Sequence, residues 1–314
     1  MTRFIVRRLL AMVVVMFVIS VLTFLLFEAI PNGNPAFRLA GRTATAAEIQ
    51  VIEIKYGFNK PLYIQYLRTM KNIFTGQAYS YQQSFNVITE VKHDYPATLS
   101  LAFGAGIIWL LISVLFGTLA AVYAGRLTDR VLTIVSMAGV SFPPFFLGAI
   151  FLYYLGYKLN WFPLSGYVSL NHPWLWLKHL VLPWATLSIL FIGFYSRVLR
   201  STILDNANED YVRTAHAKGL TDGQVLRRHT LHNSMIPIIS LWGLDLGQLL
   251  GGGAILTETV FGLQGVGELA YNAIQNLDVI TIMVIVILTA FAVVLLSAVV
   301  DILYALLDPR IRLA

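Results

Sequence analysis

The sequence predicts an all-α membrane protein with six transmembrane helices. Of its 314 residues, 57% are hydrophobic and 12% are charged, whereas a soluble domain carries about 25% charged residues. The chain contains no cysteine, which excludes disulfides, thiolate metal sites and a cysteine nucleophile. The apolar residues form six long runs, each near the roughly 20 residues that a helix needs to cross a bilayer. The runs lie near residues 8–30, 99–125, 131–157, 178–197, 235–257 and 279–307.

The first run, within MTRFIVRRLLAMVVVMFVISVLTFLLF, follows a basic start and resembles a secretory signal. Its apolar part is longer than the roughly 7–15 residues of a signal peptide, and no small-residue cleavage site follows. We therefore expect a first membrane helix that stays in the protein. The fourth run is the least apolar, because Lys178, His179 and Pro183 lie near one end and Arg197 near the other.

Arginine and lysine predict the orientation, since the cytoplasmic loops of membrane proteins are enriched in both. With a cytoplasmic N-terminus, most basic residues fall in inner segments, and the two short outer loops hold only Lys158 and Lys178. We therefore expect both termini in the cytoplasm. The expected organisation is a first helix in 1–30, an external helical loop in 31–98, and a core domain in 99–314 with five further transmembrane helices.

The external loop, 31–98, contains two predicted helices. The first, in TAAEIQVIEIKYG, ends at Gly57, and the second, in PLYIQYLRTMKNIFTG, starts at Pro61 and stops before Gly76. A structural cap on the bundle and a contact surface for a partner protein both fit this segment. We expect the apolar residues of the second helix to pack on the outer face of the bundle, and these residues are Leu62, Tyr66, Met70 and Ile73.

The second long connection, 198–233, is predicted to face the cytoplasm as two short helices bent at Gly219. Lys218 and Gly219 mark the end of the first helix, and Thr221 with Gln224 fits a capping box that opens the second. With an exposed apolar strip, the pair forms either a knob for a groove on another protein or an amphipathic pair on the lipid surface. The first helix has Glu209 and Asp210 at its start and Tyr211, Val212 and Ala215 on its apolar face.

The stretch DYVRTAHAKGL, at 210–220, resembles the EAA loop in membrane subunits of binding-protein-dependent ABC importers, specifically the dipeptide/oligopeptide/nickel permease family. Ala215 and Gly219 stand at the hallmark alanine and glycine. The loop departs from the general motif at Arg213 and Thr214, and Leu231-His232 replaces its closing Leu-Pro. Other stretches similar to this family are PLYIQYLR (61–68), YPATLSLA (95–102), SFPPFFLG (141–148), PLSGYVS (163–169) and VDILYALLDPRIR (300–312).

The resemblance implies a type I ABC importer permease fold in a bacterial inner membrane and the import of di- or oligopeptides. It implies that the loop is a coupling helix that docks into an ATPase subunit. The coupling residues are then Asp210, Tyr211, Val212, Arg213, Thr214, Ala215, Lys218 and Gly219. Nickel chelates and glutathione are alternative substrates within the family, while a stand-alone carrier and a membrane enzyme are alternatives outside it.

The expected partners are a homologous permease subunit, two ATPase subunits, an extracytoplasmic substrate-binding protein and the lipid bilayer, but no nucleic acid. The chain has no G-x-x-x-x-G-K-[ST] phosphate-binding sequence. We therefore expect no catalytic residue and no bound cofactor in this chain, with ATP and Mg on the partner ATPase subunits. His229 and His232 share a helix face without carboxylates at ligand spacing, so no metal site is expected.

Polar and irregular positions in the apolar runs mark a candidate translocation path. Asp245 lies inside the fifth run, where a carboxylate is costly and by default functional. Two kinds of role fit this carboxylate. In the translocation path, it meets a substrate ammonium group or orders water. In a structural role, it makes an interhelical hydrogen bond or pairs with a neighbouring subunit. The candidate path residues are Asp245, Gln248, Gly251, Gly252, Gly253, Pro143 and Pro144.

The glycines and prolines of this path predict local irregularity. Gly251, Gly252 and Gly253 permit either close helix packing or a bend. Pro143 and Pro144 must kink or interrupt the third helix, and such backbone is tolerated at membrane depth only beside protein or water. We therefore expect that helix to line the interior, and the glycine-rich segment 258–278 to form an outer lip.

Overall fold

The computed structural model describes residues 2–29, 35–41 and 44–307, and this part of the chain is mainly helical. Within it, π-helical turns at Leu25–Ala29, Leu152–Lys158, Leu226–Thr230 and Leu249–Gly253 extend α1, α7, α10 and α11. The helices are α1 (Thr2–Phe24), α2 (Pro35–Ala40), α3 (Ala46–Tyr56), α4 (Leu62–Phe74), α5 (Val87–Val122), α6 (Leu127–Ser141), α7 (Pro144–Phe151), α8 (Pro173–Ala207), α9 (Asp210–Ala217), α10 (Asp222–Val225), α11 (Leu231–Gln248), α12 (Ile255–Phe261), α13 (Val266–Gln275) and α14 (Val279–Leu307).

Five of the described helical stretches are long and apolar enough to cross a membrane, and the bent pair formed by α6 and Pro144–Lys158 makes a sixth if it counts as one span. The bent pair turns by 94° between its two halves. Phe142 and Pro143 are extended at this break, and Pro144 starts the next helix. The prediction that the proline pair interrupts the third helix is confirmed. Each proline disfavours helical backbone in the residue before it, and two in succession affect both Phe142 and Pro143.

Two membrane helices extend well beyond their apolar runs. α5 begins at Val87 rather than near residue 99, and α8 continues to Ala207 rather than ending near residue 197. The start of α5 is fixed by Asn86, whose side chain accepts hydrogen bonds from the amides of Ile88 and Thr89. These extensions are polar, so hydrophobicity does not reveal them.

The core of the bundle lies where α5, α8 and α11 meet. Trp109, Tyr195, Leu199, Ile238 and Leu246 are fully buried there. Two indoles also bond to the backbone of α5. Trp184 Nε1 donates to the Ser100 carbonyl at 2.9 Å, and Trp242 Nε1 donates to the Gly106 carbonyl at 2.9 Å. These bonds set the position of α8 and α11 against α5.

α11 packs closely against α14 along a strip of glycines. Gly243, Gly247 and Gly251 are spaced four residues apart and so share a helix face. A Cβ atom at these positions would overlap Val300, Val293 and Thr289 of α14, respectively. Small residues let two membrane helices approach closely. Asp245, two residues from Gly243 and from Gly247, therefore lies on the opposite side of α11.

α3 and α4 precede α5, at the end of the bundle that also carries α13 and that we call the α13 end. Thr45 and Glu48 form a capping box at the start of α3, and Gly57 ends it in the left-handed conformation. In α4, Met70 is buried, and Tyr66 and Ile73 pack beside it. The predicted packing of these three residues is confirmed. Leu62, in the first turn, is instead exposed.

Candidate functional site

The connection between α8 and α11 folds into a small unit, α9 and α10, which we call the knob (residues 209–225). Val212 and Ala215 of α9 are buried against Val225 of α10, and Leu220 packs on them. The apolar face is therefore closed inside the knob. The expectation of an exposed apolar strip is wrong for Val212 and Ala215, although Tyr211 stays partly exposed.

The turn between the two knob helices depends on Gly219. Its φ of +82° is in the left-handed region, and a Cβ atom there would meet nothing within 4 Å. The requirement for glycine is thus conformational and not steric. The Gly219 amide donates to the His216 carbonyl at 2.9 Å, and the Leu220 amide donates to the Ala215 carbonyl at 3.3 Å. The predicted bend at Gly219 and the capping box of Thr221 and Gln224 are both present.

The outer surface of the knob is polar and carries both signs of charge. Arg213 Nη1 lies 3.6 Å from Asp210 Oδ1, with both side chains in solvent. His216 Nδ1 lies 3.7 Å from Asp222 Oδ1. Thr214 and Lys218 are also exposed. Of the predicted coupling residues, Val212 and Ala215 therefore form the interior of the knob, and the others form its surface.

The second knob helix is not a separate short helix, as the sequence suggested. Helical backbone runs without a break from α10 through the π-helical turn into α11. A hydrogen-bonded chain joins the base of α11 to the end of α8. Asn206 Nδ2 donates to Ser234 Oγ at 2.8 Å, and Ser234 Oγ donates to the Thr230 carbonyl at 2.7 Å. The knob is therefore fixed to two membrane helices.

A partly buried ion pair joins α6 to α8, with Asp129 buried and Arg200 30% exposed. Arg200 donates from Nε to Asp129 Oδ1 at 2.6 Å and from Nη2 to Asp129 Oδ2 at 2.7 Å. Asp129 also accepts from the Gly125 amide at 2.8 Å. Sequence reasoning missed this pair, because its members are 71 positions apart and Arg200 looked like any other basic residue of an inner loop.

Asp245 makes an interhelical hydrogen bond within the spans. The Tyr195 hydroxyl, on the fully buried side chain of an α8 residue, donates to Asp245 Oδ2 at 2.5 Å. The hydrogen-bonding alternative is therefore present. Asp245 is nevertheless only partly buried, and Gln248, one turn further along α11, is exposed. The Asp245 carboxylate thus bonds to α8, and the residue stays partly accessible to solvent.

The three consecutive glycines combine close packing with a bend. Gly251 touches the backbone of Thr289, whose hydroxyl donates to the Gly251 carbonyl at 2.5 Å. Gly252 leaves the helical conformation, with φ +92°. Pro143 and Pro144 lie at a different break, before α7, whose Gly148 packs against Phe261 of α12. The structure thus places the candidate path residues on two separate helices, α11 and the broken α6–α7 pair.

Glu258 is a buried carboxylate that sequence reasoning did not single out. Its carboxylate is fully buried and accepts hydrogen bonds from Thr98 Oγ1 at 2.9 Å and from the Gly267 amide at 2.7 Å. It thereby ties α5 to the start of α13. Burial raises the pKa of Glu258 to about 7, although the hydrogen bonds from Thr98 and the amides oppose the rise.

Two membrane helices, α8 and α11, are thus bonded to each other and to a polar helical knob at one end. The sequence matches the family model described as "Binding-protein-dependent transport system inner membrane component" over residues 113–313. Residues 1–102 match the model for the N-terminal part of such membrane components. The chain belongs to this family of binding-protein-dependent transport system inner membrane components.

Several relatives are similar over almost their whole length. The "Probable peptide ABC transporter permease protein y4tP" of Sinorhizobium fredii is 36% identical, over 98% of this chain and 99% of that protein. The "Probable D,D-dipeptide transport system permease protein DdpB" of Escherichia coli K12 is 37% identical, over 97% and 96%. The "Glutathione transport system permease protein GsiC" of the same strain is 33% identical, over 99% of both chains.

The fold also resembles a chain in a solved structure of the MetNI methionine ABC transporter in an inward-facing conformation. The TM-score is 0.53 at 15% sequence identity, covering 72% of this chain and 100% of the other. This protein is therefore a transmembrane permease subunit of an ABC importer, a transport component and not an enzyme. The family implies a bilayer, an ATPase and a substrate-binding protein as partners.

Proposed function

We propose that this subunit imports peptides across a bacterial inner membrane, from a binding protein outside to the cytoplasm. The observation that carries the proposal is the knob, whose Gly219 turn is pre-formed and fixed to both α8 and α11. A peptide substrate is supported by the relatives, whose names specify peptide, D,D-dipeptide and glutathione, itself a small peptide.

The orientation follows from the distribution of basic residues. Arg126 and Arg130 flank the start of α6, where Asp129 bonds to Arg200 in the part of α8 that leads to the knob, and Arg197 lies one turn before Arg200. Cytoplasmic segments are enriched in arginine and lysine. The knob and both termini then face the cytoplasm, where ATP and Mg bind to two partner ATPase subunits. The α13 end faces the binding protein.

In this arrangement the knob docks into a cleft on an ATPase subunit. A helix pair lying on lipid needs an exposed apolar face, whereas Val212 and Ala215 are buried inside the knob. Its surface offers Asp210, Arg213 and Lys218 to a polar cleft. The knob is thus better suited to a protein groove than to a lipid surface.

The translocation path lies between this subunit and a homologous second permease subunit. Asp245 and Gln248 face the open side of α11, and the bend at Gly252 lies one turn beyond them. Alternating access follows when a displacement of the knob moves α8 and α11 together. Gly251, Gly253, Pro143 and Pro144 contribute the irregular backbone that such a path requires.

Reconstitution into proteoliposomes with the ATPases, the second permease and the binding protein tests the proposal. We expect ATP-dependent uptake of a di- or oligopeptide, with glutathione and a nickel chelate as competing substrates. Uptake by the isolated chain without nucleotide would exclude the importer mechanism. Preferential uptake of the nickel chelate would exclude the peptide assignment and leave the coupling mechanism intact.

Asp245→Asn tests the path itself. If the carboxylate meets the substrate ammonium, the variant loses uptake of a peptide with a free N-terminus more than uptake of its N-acetylated form. Tyr195→Phe is the matched control, because it removes the hydrogen bond to Asp245 and keeps the negative charge. Equal losses for both substrates would mean that Asp245 has a packing role alone.

A further inference from the structure

α4 carries one continuous apolar arc that the bundle covers only in part. At about 100° per residue, six of the eight apolar side chains of α4 fall within an arc of about 120°. Leu62 lies about 20° beyond one edge of this arc, and Ile64 lies outside it, beyond Lys71. Arg68 and Lys71 lie outside the arc, and α4 contains no acidic residue. In order around the helix, the arc is formed by Ile73, Tyr66, Met70, Tyr63, Phe74 and Leu67.

The covered half of the arc packs against α1 and α14. The Tyr66 ring meets Phe24 edge to face at 5.5 Å, and its hydroxyl lies 2.7 Å from Ser20 Oγ. Met70 packs in one cluster with Phe24, Met283 and Ile287. These contacts fix both the rotation of α4 and its depth along the two spans.

That depth is inside the apolar part of the bundle. The apolar span of α1 is Leu9–Phe27, and that of α14 is Val279–Val300. Ser20 therefore lies about 10 Å, and Ile287 about 12 Å, from the α13 end of its span, at about 1.5 Å per residue. Because Tyr66 of α4 contacts Ser20 directly and Met70 shares a cluster with Ile287, α4 lies beside the spans and not above them.

The other half of the arc is uncovered. Tyr63, Leu67 and Phe74 are 67%, 62% and 79% exposed. This surface continues onto α1, where Phe17 and Leu22 are exposed along the span. Phe17 also contacts Tyr66 edge to face at 6.5 Å, so the exposed surfaces of the two helices adjoin. The exposed faces of α1 and α4 therefore share one environment, and the lipid that surrounds a membrane-spanning α1 also contacts α4.

We propose that α4 is seated in the bilayer at the boundary between headgroups and acyl chains of the leaflet at the α13 end, with Tyr63, Leu67 and Phe74 against lipid. Amphipathic helices in this position combine an apolar face with basic residues beside the phosphates. α4 offers Lys71 for that role and also Arg68, whose Nη1 donates to the Tyr56 carbonyl at the end of α3 at 3.0 Å. The proposal depends on membrane insertion, not on peptide transport. It replaces the expectation that residues 31–98 are wholly external.

The absence of native cysteine allows a direct test with single-cysteine variants. Leu67→Cys is labelled with an environment-sensitive fluorophore in the assembled transporter, in nanodiscs containing phosphatidylcholine with a nitroxide near the headgroup. Leu22→Cys, on the exposed side of α1, is the lipid-facing reference. Gln82→Cys, in the exposed polar turn before α5, is the aqueous reference. Iodide is the water-soluble quencher.

We expect the label at position 67 to be quenched by the nitroxide lipid as strongly as the label at position 22, and to resist iodide. Quenching by iodide alone, as at position 82, would overturn the proposal. Protection from both quenchers would also overturn it. If removing the binding protein then restored iodide quenching, the face would be a docking surface for that protein, and otherwise it would contact another subunit.

Discussion

Replacing Gly219 by alanine tests whether the knob must be pre-formed to receive force. The added methyl group meets nothing within 4 Å, so packing is unchanged and only the backbone conformation is penalised. A left-handed conformation costs a non-glycine residue about 1–2 kcal/mol. Gly223, in α10, also has free space around it, but its φ is not positive. Alanine there improves helix propensity by up to about 1 kcal/mol.

The two substitutions therefore form a matched pair, in which the same methyl group is added to the same knob with opposite expected effects. Amide hydrogen exchange is the direct readout, since it measures local opening. The amides of Lys218, Gly219 and Leu220 close the turn through the carbonyls of Thr214, His216 and Ala215. A loss of about 1–2 kcal/mol speeds their exchange by about 5–30-fold if they exchange through opening of the knob.

ATP-driven uptake should fall in Gly219→Ala and persist in Gly223→Ala, with normal membrane insertion of both. Two results would refute the reasoning. Exchange in Gly219→Ala at the wild-type rate would mean that the turn does not need glycine. Faster exchange with full uptake would mean that the knob can be reshaped by the ATPase and need not be pre-formed.

Three further changes test the elements around the knob and the path. Asp129→Ala leaves Arg200 without its carboxylate and removes charge-assisted bonds, each worth roughly 1.5–3 kcal/mol, so the Tm in detergent should fall. Asp210→Ala removes an exposed ion pair with Arg213 and should leave the Tm unchanged. Equal losses of Tm in the two variants would show that the Asp129–Arg200 pair contributes no more than the exposed one. Gly251→Val forces a side chain into Thr289 and should cost about 1–3 kcal/mol by overpacking. Gly223→Val is the control, because a side chain there meets no clash. Equal Tm values for the two variants would show that α11 and α14 are not closely packed at Gly251. Burial raises the pKa of Glu258 from 4.5 to about 7. The folded protein therefore holds this proton more tightly than the unfolded chain, and stability should fall as pH rises between these values. If Glu258→Gln shows the same dependence of stability on pH, another group causes it.

The local signals in the sequence predicted local structure well. Hydrophobicity located the spans, because a bilayer demands long apolar helices. Gly219, Gly57 and the capping pair of Thr221 and Gln224 predicted turns and helix starts that the structure contains. In each case the determining contacts lie within a few residues, so the chain itself carries enough information.

Predictions failed where a contact or a helix depended on distant parts of the chain. The apolar face of α9 was expected outside, but Val225 of α10 covers it. The ends of α5 and α8 continue past their apolar runs, since polar residues can extend a helix out of a bilayer. The bond of Asp129 with Arg200 was missed, and the interhelical bond of Asp245 was among the stated alternatives but without its partner Tyr195, because no spacing rule connects residues on different helices.

These interhelical bonds share one helix, α8, and this has a mechanical consequence. Its 35 residues run from Pro173 to Ala207, so the helix passes Trp184 in the core and ends beside the knob. Ser196 and Arg200 bond it to Ser136 and Asp129 of α6. Tyr195 and Asn206 bond it to Asp245 and Ser234 of α11.

Breaking a polar contact that is shielded from water is costly, and of these four contacts the Ser136–Ser196 bond is buried and the other three are partly buried. α6 and α11 should therefore follow α8 when the knob is displaced. In the described part of the seam between α11 and α14, glycines of α11 pack closely on α14, and Thr289 donates to the Gly251 carbonyl. Asp245 lies on α11, whose helical backbone continues into the knob, and Tyr195 bonds it to α8. A displacement of the knob therefore reaches Asp245 through both helices before it crosses the seam to α14.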